Sequence, residues 1–198
     1  MAASRDNSGL SRRDFMFGGL RKLRERTSTV LDEKTDDAPE ANGDITPQDA
    51  MLGRDAFVSG NAAYARSDYE TAIPEYRECL RILPRHSEAR QRLGYCLYRA
   101  GQHLQAKIEF ERVLRERGGR DNFSSLYLGL TLAQMGKRDK AAEAWRGYFN
   151  PEEVRIMREL NVQTALIESS EDYPLEDAVE CVEEAIAARK EELLAGEG

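Results

Sequence analysis

Leu93-Gly94-Tyr95-Cys96-Leu97-Tyr98-Arg99-Ala100-Gly101 and Leu128-Gly129-Leu130-Thr131-Leu132-Ala133-Gln134-Met135-Gly136 are the same sentence written twice, 35 residues apart. Each opens Leu-Gly and closes on a glycine. Each is followed by a short polar stretch and a second helical pattern. Three columns share this register: Gly60, Gly94 and Gly129; Ala72, Ala106 and Ala141; Tyr76, Phe110 and Trp145. Every column steps by 34 and then 35 residues. A fixed period of this length means one supersecondary unit stacked on copies of itself.

Elementary packing explains the columns. Two antiparallel helices of about ten to twelve residues come close only where small side chains face each other. The glycine on the first helix and the alanine on the second supply that, and an aromatic ring on the second helix is expected between neighbouring pairs. Gly101 and Gly136 stand where the first helix must turn, and a left-handed glycine ends a helix at low cost. Pro84 marks the end of the first unit. That unit departs from the others, with Ser59 in the place of Leu93 and Leu128, and Ser67 where the others have glycine.

These columns resemble the tetratricopeptide-repeat family over roughly residues 53–155, about half of the chain. The resemblance implies an all-α solenoid of stacked helical hairpins, a right-handed superhelix whose first helices line a concave face. Three units are expected over 51–155 and capping helices over 156–198. At the end of the third unit, Asn150-Pro151-Glu152-Glu153 reads as a helix start, with a capping side chain, a first-turn proline and acids at the positive end of the dipole. A last helix is expected from about Leu175 to Leu194. Leu175, Ala178, Val179, Val182, Ala185 and Ile186 share its apolar face, and Glu176, Asp177, Glu180, Glu183 and Glu184 lie away from it. Its expected role is to solvate the open end of the solenoid; a partner-binding helix is the alternative.

Helical spacing on the first helices nominates the residues of the implied groove. They are Phe57, Asn61 and Tyr64 in the first unit, Gln91, Tyr95 and Tyr98 in the second, and Phe123, Leu126 and Leu130 in the third. The set is aromatic and apolar with few charges, the composition of a surface that a partner covers. The bland counterpart is that Tyr95 and Leu130 pack internally. The best-known groove chemistry of the family is a clamp for a chaperone's C-terminal carboxylate, built from Lys, Arg and Asn. Its places read Phe57, Asn61, Arg92, Phe123 and Tyr127 here, and only Asn61 matches. An apolar segment or amphipathic helix is the better-fitting client, anchored at several points.

The first 50 residues differ in character. Residues 1–26 are basic, with Arg5, Arg12, Arg13, Arg21, Lys22, Arg24 and Arg26 against Asp6, Asp14 and Glu25. Ser11-Arg12-Arg13-Asp14-Phe15-Met16 resembles the twin-arginine export consensus, but the apolar stretch after it gives way at once to Arg21-Lys22-Leu23-Arg24. What is left is a basic amphipathic element with Arg12 and Arg13 beside Phe15, Met16, Leu20 and Leu23. Four roles stay open for it: touching an anionic membrane surface, docking on a partner, folding back into the groove, or a disordered tail. Residues 27–50 are acidic and poor in large apolar side chains, and are expected to be a flexible linker.

Composition bounds the function. A net charge of -7 argues against nucleic acid as a partner of the whole chain. No apolar run approaches the length needed to span a bilayer. Cys79, Cys96 and Cys181 have no metal-type spacing, and His86 and His103 lie far from any cysteine cluster, so no metal site is expected. Gly118-Gly119 precedes Arg120-Asp121 without the lysine of a phosphate loop. No convergent set of catalytic groups is legible, and neither enzyme activity nor a cofactor is expected. The sequence reads as a cytoplasmic adaptor or assembly chaperone for a protein or peptide client. Two alternatives stand beside it: a constitutive scaffold subunit of a larger, membrane-associated bacterial complex, and a tetratricopeptide chaperone of a bacterial secretion system.

Overall fold

Thr46 caps the first of the described helices. Its hydroxyl accepts from the Asp49 backbone N–H at 3.1 Å, and the Asp49 carboxylate accepts from the Thr46 backbone N–H at 3.3 Å. This reciprocal cap, with Pro47 in the first turn, starts helix α1, Pro47–Ala65. The computed structural model describes residues 45–196. The basic element with Arg12, Arg13, Phe15, Met16, Leu20 and Leu23 lies outside the described residues, as do residues 27–44 of the expected linker. Residues 47–50, read as the end of that linker, are the first turn of α1 instead, because the cap and the proline outweigh their polarity.

Seven further helices follow, with no strand among the described residues: α2 Tyr69–Ile82, α3 Ser87–Arg99, α4 His103–Glu116, α5 Asn122–Gln134, α6 Arg138–Arg146, α7 Val154–Ser169 and α8 Leu175–Gly196. They pack as hairpins, α1 with α2, α3 with α4 and α5 with α6, and each second helix packs on the first helix of the next pair. This is the helical-hairpin solenoid that the period implies.

The reason is visible at the three glycines. A Cβ on Gly60 would meet the Tyr76 ring at 2.7 Å, one on Gly94 the Phe110 ring at 2.8 Å, and one on Gly129 the Trp145 indole at 2.1 Å. Each ring therefore seats on the glycine of its own hairpin, rather than only filling space between pairs as the sequence suggested. Phe110 reaches the next unit as well, with Phe123 and Tyr127 ring centroids 6.4 and 6.2 Å away. Ala72, Ala106 and Ala141 are wholly buried beside these rings. Trp145 also donates its indole N–H to the Leu126 carbonyl at 3.2 Å, fixing the ring's orientation.

The turns repeat atom for atom. Gly101 (φ 71°) donates to the Tyr98 carbonyl and Gln102 to that of Leu97; Gly136 (φ 69°) donates to Ala133 and Lys137 to Leu132. Ser67 makes the same turn in the first unit at φ 59°, where a Cβ is strained. The other departure of that unit has a cause too. Leu93 and Leu128 are buried, whereas Ser59 is exposed, because no helix among the described residues precedes α1 to cover it.

Polar groups bolt one unit to the next. Arg90, only 7% exposed, donates to Glu109 at 3.0 Å and to the Pro84 carbonyl, joining the α2–α3 turn to α4. Asp121 caps α5 by accepting from the Ser124 N–H at 2.8 Å, and it accepts from the Gln91 side chain of α3 at 2.7 Å. Burial alone would raise its carboxyl, but the hydrogen bonds of Ser124 and Gln91 and the charge of Arg117 outweigh that and hold it below the usual carboxylate range.

The last pair breaks the regular order. Asn150 does not cap a helix at Pro151; it closes a turn onto the Glu152 N–H at 3.2 Å, and α7 starts at Val154. Helix α7 packs on α6, and α8 packs both on α7 and on α5. The second helix of this pair thus joins the layer of first helices. Ala178, Val179, Val182 and Ala185 are the buried face of α8, with Glu176, Glu180, Glu183 and Glu184 exposed, as its periodicity implied.

Three measurements test this account by chemical denaturation followed with circular dichroism. Gly129→Ala forces a methyl into the Trp145 indole and is expected to cost about 3 kcal/mol. Ser67→Gly relieves the left-handed strain and is expected to add about 0.5–1 kcal/mol. Asp121→Ala is expected to cost about 2 kcal/mol at neutral pH. A depressed carboxyl stabilises above its unfolded pKa and loses that contribution as pH falls through the folded value, so the Asp121→Ala deficit should shrink below about pH 4.

Candidate functional site

The side chains of α1, α3 and α5 that face one another form a continuous aromatic seam. Phe57, Asn61 and Tyr64 recur along one face of α1, and all three are half-buried. Tyr95 of α3 lies at the seam's centre. Its ring is 5.5 Å from Tyr64, 5.7 Å from Tyr69, 6.0 Å from Phe123 and 4.9 Å from Tyr127, several of these contacts edge-on. Rings at these separations attract through their quadrupoles and stiffen one another.

Two guanidinium groups lie on the seam. Arg92 is over Phe57 at 5.3 Å and Tyr64 at 5.7 Å. It also donates to the Asn61 carbonyl oxygen and to Glu88, and Asn61 accepts from the Tyr76 hydroxyl at 2.8 Å. Arg99 is over Tyr69 at 5.2 Å and Tyr95 at 5.9 Å, and donates to the Tyr95 hydroxyl at 3.0 Å. Arg99 is exposed, and no carboxylate among the described residues forms an ion pair with it. Cation and ring reinforce each other here without neutralising the charge.

Five of the nine nominated groove residues come together on this accessible seam: Phe57, Asn61, Tyr64, Tyr95 and Phe123. The other four do not. Leu130 is fully buried, Leu126 is 6% exposed and Tyr98 is 5% exposed. The physical reason is α8, which packs on α5 and accepts the Tyr98 hydroxyl's hydrogen bond on Glu183 at 2.7 Å. These three are interior residues, as the bland alternative held for Leu130. Gln91 is spent on Asp121 and serves the joint between units.

Tyr69, Arg92 and Arg99 belong to the seam, and spacing on the first helices alone does not nominate them as groove residues. Tyr69 opens a second helix, Arg92 stands at one of the clamp places, and Arg99 carries no periodic signal. The signal that α5 is covered was present: Ser124 to Ala133 contains no charged residue, and every one of these residues is buried. A helix apolar on all sides is an enclosed helix.

The chemistry available to this seam is recognition. Burial pushes the phenols of Tyr64, Tyr95 and Tyr98 up, so they remain neutral hydroxyls that donate and stack. Burial likewise pushes the Cys79 thiol to about 11 and that of Cys96 to about 12, the opposite of an activated nucleophile. No three His, Cys, Asp or Glu side chains among the described residues converge as metal ligands do. No helix among them is long and apolar enough to cross a membrane.

Comparison with known proteins points the same way as the geometry. Residues 63–128, from the end of α1 into α5, match a family model described as tetratricopeptide repeat. The small glutamine-rich tetratricopeptide repeat-containing protein 2 of Saccharomyces cerevisiae is 29% identical over 122 residues, which is 57% of this chain and 33% of that protein. The chain therefore spans about a third of that relative's length. Three stacked hairpins, each seating an aromatic ring on a glycine at the same register, and a matched span that runs from the end of α1 into α5 show that the chain carries tetratricopeptide repeats.

Proposed function

We propose that the chain is a protein-binding module of the adaptor or assembly-chaperone kind, and that its partner segment lies along the seam of Phe57, Tyr64, Tyr69, Tyr95 and Phe123. One observation supports this above the others. The seam is a row of half-exposed rings, pre-stacked and stiffened by Arg92 and Arg99, on helices otherwise committed to the core. Rigid rings lose little conformational freedom on binding, and aromatic and arginine side chains carry most of the affinity at protein interfaces. The partner is an apolar or amphipathic segment, since the rings offer area and the hydroxyls offer hydrogen bonds. The four nominated residues that are buried or engaged in internal bonds take no part; the usable surface is set by α1, α2 and α3, with the first turn of α5.

The test is affinity capture from the native source with the full chain and with a Tyr64→Ala/Tyr95→Ala variant, read by quantitative mass spectrometry. Proteins held by the seam are expected to fall at least tenfold with the variant while its helical circular dichroism stays near that of the parent. Equal capture by both chains sinks the assignment of the seam. Loss of helix in the variant makes these tyrosines structural and sinks it as well.

A further inference from the structure

We propose that the partner segment is charge-polarised, with an acidic end over Arg99 and a basic end in a hollow walled by α8; the proposal rests on the protein-binding reading above and adds the partner's chemistry and orientation. The hollow has a volume of about 460 Å³ and lies between Gln134, at the end of α5, and the α8 face that carries Glu176, Val179, Glu180, Glu183 and Glu184. It adjoins the seam directly, because Glu183 is held by the hydroxyl of Tyr98, one turn along α3 from Tyr95 and next to Arg99.

Opposite charges lie near each other at this junction without forming an ion pair. Arg99 follows Tyr98 in the chain, yet its guanidinium is stacked on Tyr69 and Tyr95 and hydrogen-bonded to the Tyr95 hydroxyl. Glu183 is hydrogen-bonded to the Tyr98 hydroxyl instead. Two phenols, three residues apart, hold the cation and the anion in separate places. Glu176, Glu180 and Glu184 are exposed and form no ion pair with any Lys or Arg among the described residues; the cation of α8 nearest in sequence that is paired, Arg189, is taken by Glu153 at 2.6 Å. A surface with a cation on the side of the rings and carboxylates on the adjoining side of α8 selects a segment of the reverse pattern and fixes its direction. A Lys or Arg side chain fits the hollow, its stem against Val179 and its charge among the carboxylates.

The experiment measures binding of synthetic fluorescein-labelled amphipathic peptides to the full chain by anisotropy at low salt. One peptide groups its lysines at one end and its glutamates at the other. A second has the same composition with the charges interleaved, and two more are all-lysine and all-glutamate. The grouped peptide is expected to bind roughly three- to tenfold tighter than the interleaved one, the preference fading as salt rises. Arg99→Gln and Glu180→Gln/Glu184→Gln are each expected to remove that preference. Glu180→Lys/Glu184→Lys is expected to shift it toward the all-glutamate peptide. These are exposed positions, and unchanged circular dichroism verifies that each variant folds. Equal binding of grouped and interleaved peptides, or a preference indifferent to these variants, overturns the proposal. If Tyr64→Ala/Tyr95→Ala abolishes peptide binding while the charge variants change nothing, only the polarity is wrong. If no peptide binds, or all bind as well to Tyr64→Ala/Tyr95→Ala, the protein-binding seam fails with it.

Discussion

A ring seated on a glycine is the interaction on which the rest of this structure depends. Tyr76 on Gly60, Phe110 on Gly94 and Trp145 on Gly129 set how closely the two helices of each hairpin approach. That distance sets the position of the next hairpin, since each second helix is also the platform for the following first helix. Local close packing is thereby converted into a long-range arrangement, chiefly through contacts between neighbouring hairpins. The three rings are buried to 2% or less, so the dependence is on shape as much as on hydrophobicity.

Stacking by nearest neighbours leaves two ends to be managed, and this chain manages them differently. At α1 Ser59 replaces the buried leucines of later units, while Met51, Leu52 and Val58 are exposed. At the other end the hydrophobic demand of α5 is met by α8, which enters the layer of first helices from the far side of α7. The consequence for function is direct. The face of α5 that a regular solenoid would present is covered by α8, and the aromatic seam of α1 to α3 stays accessible.

The recognition proposed for the seam depends on its stiffness. Tyr95 contacts four rings at once, and two arginines are laid on its neighbours. A surface so pre-arranged needs little reordering to accept a partner. The polar bolts below it, Arg90 with Glu109 and Asp121 with Gln91, keep the units in register, so that rings from different hairpins remain in line.

What the sequence determined by itself was everything that depends on period and helical spacing. Three columns of glycine, alanine and aromatic residues specified three hairpins, their turns at Gly101 and Gly136, and the apolar face of α8. These features are local or recur with fixed spacing, so the residues that make them announce themselves. The tertiary structure alone decided which face of each helix stays open. Leu130 and Tyr95 occupy the same register position, yet one is buried and the other half-exposed, because α8 packs on α5, whereas Tyr95 of α3 faces the rings of Tyr64 and Tyr69. Likewise Arg90 and Arg99 are two arginines of one helix, one enclosed by Glu109 and Pro84, the other spread on a pair of tyrosines. Such distinctions arise from contacts between residues tens of positions apart, and no repeat encodes them.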